Sequence, residues 1–170
     1  MPIVKLVAQN DAEVEIAIPN APPLVLPIRR LRAWLYLGEE ILIRQAVIDT
    51  GAPYCILTKR LWMDLHKSGQ VDWVACSPAT TPLASLPKAH ILGSEHRFRV
   101  GRVRIRLTET TPASPVIDLG PVLAQCLEDD DLDRTRTGLI LGLGGILNGR
   151  TLILQVSEGG DRWSAILIQT

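Results

Sequence analysis

Gln45-Ala46-Val47-Ile48-Asp49-Thr50-Gly51-Ala52-Pro53 is the stretch on which the reading of this chain turns. An apolar run of this kind reads as a buried strand, and the Asp closes it. An Asp on a tight Gly turn at a strand end presents a carboxylate. Gly51 lets the backbone turn sharply and lets another chain approach closely. The Thr50 hydroxyl can hydrogen-bond locally or across an interface. Asp-Thr-Gly also suits an ordinary turn, so three residues carry little weight alone. A second segment far downstream, Leu139-Ile140-Leu141-Gly142, adds to it.

On either side of this stretch, short apolar alternations separated by Pro, Gly and Asn-Asp signals make the chain mostly β. Ile3 to Val7 and Val14 to Ile18 flank Asn10-Asp11 and read as a hairpin, followed by a Pro-rich connection from Pro19 to Pro27. Ile28 to Leu37 and Ile41 to Ile48 read as strands joined at Gly38-Glu39-Glu40. Tyr54 to Leu57 is a short strand. Thr58 is then an N-cap, Leu61, Trp62 and Leu65 form one helical face, and Gly69 ends the helix. Residues 70 to 90 read as loop. Phe98 and Val100, then Val103, Ile105 and Leu107, alternate with five Arg, and the phase slips at Gly101, where a bulge or turn is expected. Val116 to Leu119 is a strand, and Val122 to Leu127 is expected to form a helical turn. Thr151 to Val156 and Arg162 to Ile168 form a C-terminal hairpin.

The two segments resemble the aspartic proteases of the retroviral type, the retropepsins, and their bacterial relatives. The matching stretches are Val47-Ile48-Asp49-Thr50-Gly51-Ala52 and Leu139-Ile140-Leu141-Gly142. The resemblance implies an all-β fold, a single-lobed retropepsin-like acid protease barrel with one or two short helices. It makes residues 1–170 a single domain with its core about 25–155. The activity implied is that of an aspartic endopeptidase with Asp49 catalytic. One chain supplies one Asp-Thr-Gly, so the resemblance implies a homodimer in which Asp49 of each subunit meets at the two-fold axis. Thr50 would hydrogen-bond across that interface and Gly51 would lie against the substrate backbone. Leu141 and Gly142 would pack behind the Asp turn in a structural role. A flap is best sought at Ile91-Leu92-Gly93-Ser94, with Gly69 second. Ala52, Leu92 and Gly93 are therefore the expected substrate-facing positions, and the substrate an extended peptide. The same fold could instead serve as a dimerisation or peptide-binding module with little proteolysis, since fold does not establish activity. A third reading makes Asp-Thr-Gly only a turn on the closed surface of a β-barrel binding domain.

Composition bounds the rest. A chain of 170 residues with 46% hydrophobic content can build a real core. Lys+Arg and Asp+Glu both number 18, so no charge excess points to nucleic acid. The Arg row at 97, 99, 102, 104 and 106 reads as a solvated strand face. Cys55, Cys76 and Cys126 cannot all pair within one chain and read as thiols. The acidic run Glu128 to Asp131 lacks the spaced ligands of a calcium loop, and His66, His90 and His96 are scattered. No metal, cofactor, nucleic-acid or membrane partner is expected, and without an evident leader or spanning segment the expected address is the cytoplasm. Val116-Ile117-Asp118-Leu119-Gly120-Pro121 echoes the Asp49 segment, but it lacks the Thr. It is read as a strand-to-helix turn rather than a second catalytic Asp.

Overall fold

The structure is a computed structural model that describes residues 2–49, 51–91, 93–109, 114–130, 138–147, 150–156 and 163–169. Among the described residues, eleven strands and two short helices make the protein all-β. In chain order they are β1 (Ile3–Ile16), β2 (Leu24–Leu37), β3 (Arg44–Asp49), β4 (Cys55–Leu57), α1 (Lys59–Lys67), β5 (Val71–Ala75), β6 (Lys88–Ile91), β7 (Ser94–Thr108), β8 (Ile117–Leu127), β9 (Leu139–Gly142), α2 (Leu143–Ile146), β10 (Arg150–Val156) and β11 (Trp163–Gln169). A 3-10 turn at Leu83–Ser85 lies between β5 and β6.

Six strands close a barrel in the order β2-β3-β9-β4-β8-β7, and β7 pairs back onto β2 through Trp34↔Thr108 to Leu37↔Ile105. Closure leaves none of these six as a free edge along its paired length. β3 and β4 are joined by the Asp49 turn yet are not neighbours. β9 lies between them, parallel to β3 and antiparallel to β4. This insertion brings Leu139–Gly142 beside Asp49, across a sequence separation of about ninety residues. Outside the barrel, β1, β11 and β10 extend the sheet from β2.

Alternation fills the interior. Ala33, Leu35 and Leu37 of β2, Val103, Ile105 and Leu107 of β7, and Leu139 and Leu141 of β9 all point into one core. Val4, Leu6, Ala165 and Leu167 join it from β1 and β11. Leu57, Leu107, Leu139 and Leu141 are fully buried. Each such side chain contributes roughly 1.5–3 kcal/mol relative to exposure.

Helix α1 forms where Leu61, Trp62 and Leu65 supply a buried stripe. Thr58 is extended at its start, but its side chain makes no capping bond. The acidic run caps the helix instead. The Lys59 N–H donates to the Asp129 carbonyl at 3.0 Å, and the Arg60 N–H donates to Asp130 Oδ1 at 2.7 Å. Carboxylate and carbonyl oxygens satisfy the orphan donors of a helix N-terminus in this way. At the other end Gly69 takes φ +71°, with Gly69 N–H bonded to the His66 carbonyl and Gln70 N–H to the Leu65 carbonyl. This pair of bonds is the Schellman arrangement. The Trp62 indole N–H donates to the Leu127 carbonyl at 2.5 Å and so ties the helix to β8.

Several local expectations are corrected. Asn10-Asp11 is no hairpin turn. β1 runs through it, with a register shift between Asn10 and Ala12 against β2. Polar residues that suit a turn also suit a bulge. The chain reverses at Ala17 to Pro23, where Asn20 takes φ 63°. Val122 to Leu127 is strand, not a helical turn, because β7 pairs with it from Val103↔Val122 to Phe98↔Leu127. The irregularity expected at Gly101 falls on its partner β5, between Trp73 and Ala75. Gly101 is small for room: a Cβ there would meet Val71 Cγ1 at 2.7 Å. Residues 70 to 90, read as loop, contain β5 and most of β6. The C-terminal hairpin is formed, and β11 is paired on both sides, by β10 and β1.

Candidate active site

Asp49 ends β3 half-buried, opposite Gly142 of β9. Its Oδ1 accepts the Gly51 N–H at 2.9 Å, and its carbonyl accepts the Ala52 N–H at 3.3 Å. The Asp side chain thus closes its own turn, as Asp does in many tight reversals. Thr50 lies outside the described residues. Ala52 is half-buried, and Gly51, Pro53 and Tyr54 are exposed.

The backbone after the turn lies directly on β9 and α2. The Leu143 N–H donates to the Ala52 carbonyl at 3.1 Å. A Cβ on Gly142 would meet the carbonyl oxygens of Tyr54 and Ala52, the latter at 2.5 Å, and one on Gly144 would meet the Pro53 carbonyl. Gly142 has φ −79° and ψ 148°, a conformation open to any residue. It is glycine for space.

Strands β9 and β4 are buried on both faces. Leu139, Leu141, Cys55 and Leu57 enter the main core, whereas Ile140 and Ile56 form a second cluster with Leu127 and Ile91. Val47 is paired with Ile140, and Asp49 lies two residues beyond Val47. Strand alternation therefore puts Asp49, Val47 and Ile140 on one face. That face carries the second cluster.

The hairpin β6–β7 covers part of this cluster. Its register runs from Lys88↔Arg97 to Ile91↔Ser94, and Gly93 is in a turn. Gly93 has φ +88°, a region that glycine enters freely. Leu92 lies outside the described residues. Ile91 is 9% exposed, packed with Ile56 and Ile140, and Phe98 and Ala89 flank it.

The root of this hairpin holds polar residues that sequence reasoning missed. His96 is 3% exposed, and its Nδ1 lies 2.9 Å from Asp129 Oδ1. Arg99 is buried and paired with Glu128, and its Nη1 donates to the Cys76 and Thr81 carbonyls at 2.8 and 3.0 Å. A signal was present. Arg99 shares odd-numbered phase with Val103, Ile105 and Leu107, the core positions of β7. The rest of the Arg row is engaged nearer the surface, with Arg106 half-buried. Arg102 pairs with Asp72, Arg104 with Asp118 and Glu39, and Arg106 donates to the Gly38 and Glu40 carbonyls above the Tyr36 ring.

Asp118 repeats the local geometry of Asp49 but not its surroundings. Its Oδ1 accepts the Gly120 N–H at 2.8 Å, within a strand bulge rather than at a strand-to-helix turn. Arg104 donates to its Oδ2 from Nε at 3.0 Å and Nη2 at 2.5 Å. These hydrogen bonds hold the Asp118 carboxyl below the usual carboxylate range. A carboxylate bound in this way is a structural anion.

The three Cys are free thiols. Burial pushes Cys55 up to about 11 and Cys126 to about 12, which makes both poor nucleophiles. His66 accepts the Trp73 indole N–H at 3.2 Å. Among the described residues no group of His, Cys, Asp and Glu could hold a metal ion, and no helix is long and apolar enough to cross a membrane.

The sequence matches no protein-family model and no curated protein. Among solved structures, a retropepsin-like aspartic protease from Rickettsia conorii is similar at 14% identity, over 95% of this chain and 92% of that chain, with a TM-score of 0.43.

Proposed function

We propose that this chain is one subunit of a homodimeric aspartic endopeptidase with Asp49 as its catalytic residue. The observation that carries this reading is the setting of Asp49. Its carboxylate sits on a glycine turn braced from beneath by Gly142 and Gly144, on the face that carries an apolar cluster under a hairpin. Peptide hydrolysis by paired carboxylates needs two Asp side chains sharing one proton, and like charges that close do not both ionise. Aspartic proteases as a class exemplify such a dyad. The ionised Asp takes a proton from the attacking water. The protonated Asp donates to the substrate carbonyl and stabilises the developing oxyanion. General acid–base transfer of this kind contributes about 10²–10⁴-fold.

Asp118 is committed to Arg104, so the second carboxylate is assigned to Asp49 of another copy. Thr50 is assigned the bond across that interface and Leu141 a packing role behind the turn. The β6–β7 hairpin, with Leu92 and Gly93 at its tip, is assigned as the flap. When it lifts, Ile91 leaves Ile56 and Ile140, and aliphatic side chains of an extended peptide take its place. Gly51 and Ala52 would face the peptide backbone in the manner of strand addition. The substrate class is therefore an extended peptide with an aliphatic residue near the cut bond. A second reading, a peptide-binding module with little hydrolysis, draws support from Ile91, which fills the apolar floor in this structure.

Wild type and Asp49→Asn are compared on a diverse peptide library. Cleavage by the wild type and none by a folded Asp49→Asn supports the reading. Equal cleavage by both, or none by a wild type that binds peptide, refutes it.

A further inference from the structure

The end of β1 and the start of β2 run together beyond the barrel. Beyond the bulge at Asn10/Ala12 they pair, among the described residues, only with each other, from Ala12↔Ile28 to Ile16↔Leu24. Every residue from Glu13 to Leu26 is exposed. The ribbon is two-faced. Val14↔Leu26 and Ile16↔Leu24 are directly opposed pairs, so these four aliphatic side chains share one face. They are 42%, 43%, 46% and 43% exposed for Val14, Ile16, Leu24 and Leu26. The other face carries Glu13, Glu15 and Val25. A lone two-stranded ribbon is marginal in water, and this one turns its aliphatic face outward.

Its direction identifies the occupant. β2 is antiparallel to β3, with Leu31 opposite Ile48, the residue before Asp49. Followed toward Leu24, β2 therefore runs the way β3 delivers Asp49, and it continues for seven more residues. Leu31 is level with Ile48, so six of these residues lie beyond the level of Asp49, up to about 20 Å at about 3.3 Å per residue. If two Asp49 carboxylates meet, that space holds the partner subunit. Between Ala12 and Ile28 the ribbon has two Glu and no Lys or Arg. An anionic membrane surface is therefore a poor occupant.

We propose that the Glu13–Leu26 ribbon is a dimerisation arm whose Val14, Ile16, Leu24 and Leu26 face packs on a second copy of this chain. The proposal rests on the dimer reading above and adds the element that grips the partner. A two-fold axis applies each arm to the other subunit, so one patch is used twice.

The test is sedimentation equilibrium of the full chain, as wild type, Ile16→Ser/Leu24→Ser and Val25→Ser, with peptide cleavage assayed separately. The arm predicts that the double variant raises the dimer dissociation constant at least about ten-fold, whereas Val25→Ser, on the acidic face, does not. A wild-type dimer whose dissociation constant is unmoved by the double variant overturns the arm and leaves the protease reading standing. A dimer weakened by the double variant but without hydrolysis supports the arm and sinks the protease reading. A wild type monomeric at all concentrations overturns the arm. Hydrogen exchange of the wild type serves if the double variant fails to fold. Amides of residues 13–26 should gain protection as concentration passes the dissociation constant, and no concentration dependence overturns the proposal.

Discussion

Gly142→Ala isolates the contact that braces the Asp49 turn. The added Cβ would stand 2.5 Å from the Ala52 carbonyl oxygen and 2.7 Å from the Tyr54 carbonyl carbon, where 3.4 Å is ordinary contact. The obstacles are backbone atoms, so no rotamer change relieves them. The Ala52–Tyr54 segment must retreat by close to an ångström, or β9 must slide away from β3. Overpacking a tight interior costs about 1–3 kcal/mol, and backbone obstacles belong at the upper end. Activity should suffer more than stability. The segment that retreats begins three residues after Asp49, and a misplacement of about 1 Å in a catalytic constellation costs about 10²-fold. Gly69→Ala is the matched control. Its φ of +71° imposes the left-handed penalty, about 1–2 kcal/mol, but nothing lies within 4 Å of the new Cβ and the site is untouched. Urea unfolding and kcat/KM on a cleaved peptide are measured for both. The expected result is destabilisation of both variants, the larger in Gly142→Ala, with activity lost only in Gly142→Ala. A Gly142→Ala protein with wild-type unfolding midpoint and wild-type kcat/KM would show that the glycine does not brace the turn.

Three further outcomes are expected. Asp130→Ala removes the acceptor of the Arg60 N–H at the start of α1 and should cost about 1 kcal/mol in urea unfolding, a loss that Asp130→Asn largely spares. Asp118 has a depressed folded-state pKa, so its pairing with Arg104 stabilises the protein above the unfolded carboxylate value, about 3.9, and is lost as pH falls through the lower folded value. Asp118→Asn should therefore be destabilised relative to wild type at neutral pH, the gap should close in acid, and Asp49-dependent cleavage should persist; a gap that widens in acid contradicts the linkage. Cleavage itself should peak on the acidic side and fall toward alkaline pH, because a shared-proton dyad works only when singly protonated; activity rising steadily through about pH 9 rules the dyad out.

Local physics made much of this chain legible in its residues. Alternation of apolar residues located most strands, because period two is forced wherever one face is buried. Leu61, Trp62 and Leu65 with Gly69 marked α1 and its end, since helix stripe and left-handed stop are properties of neighbouring residues. The Asp49 turn was legible for the same reason. What joins across distance was set by the folded chain. Asn10-Asp11 is continuous strand because β2 holds both sides of it. Val122 to Leu127 is strand because β7 supplies its hydrogen-bond partners. Asp118 and Asp49 have the same local turn bond, and only the fold gives one of them Arg104. His96 and Asp129, Arg99 and Glu128 meet because the first part of β7 lies beside the end of β8. Nothing in a local window announces such partners: a charge is tolerated in a buried place only when its counter-charge arrives from elsewhere in the chain.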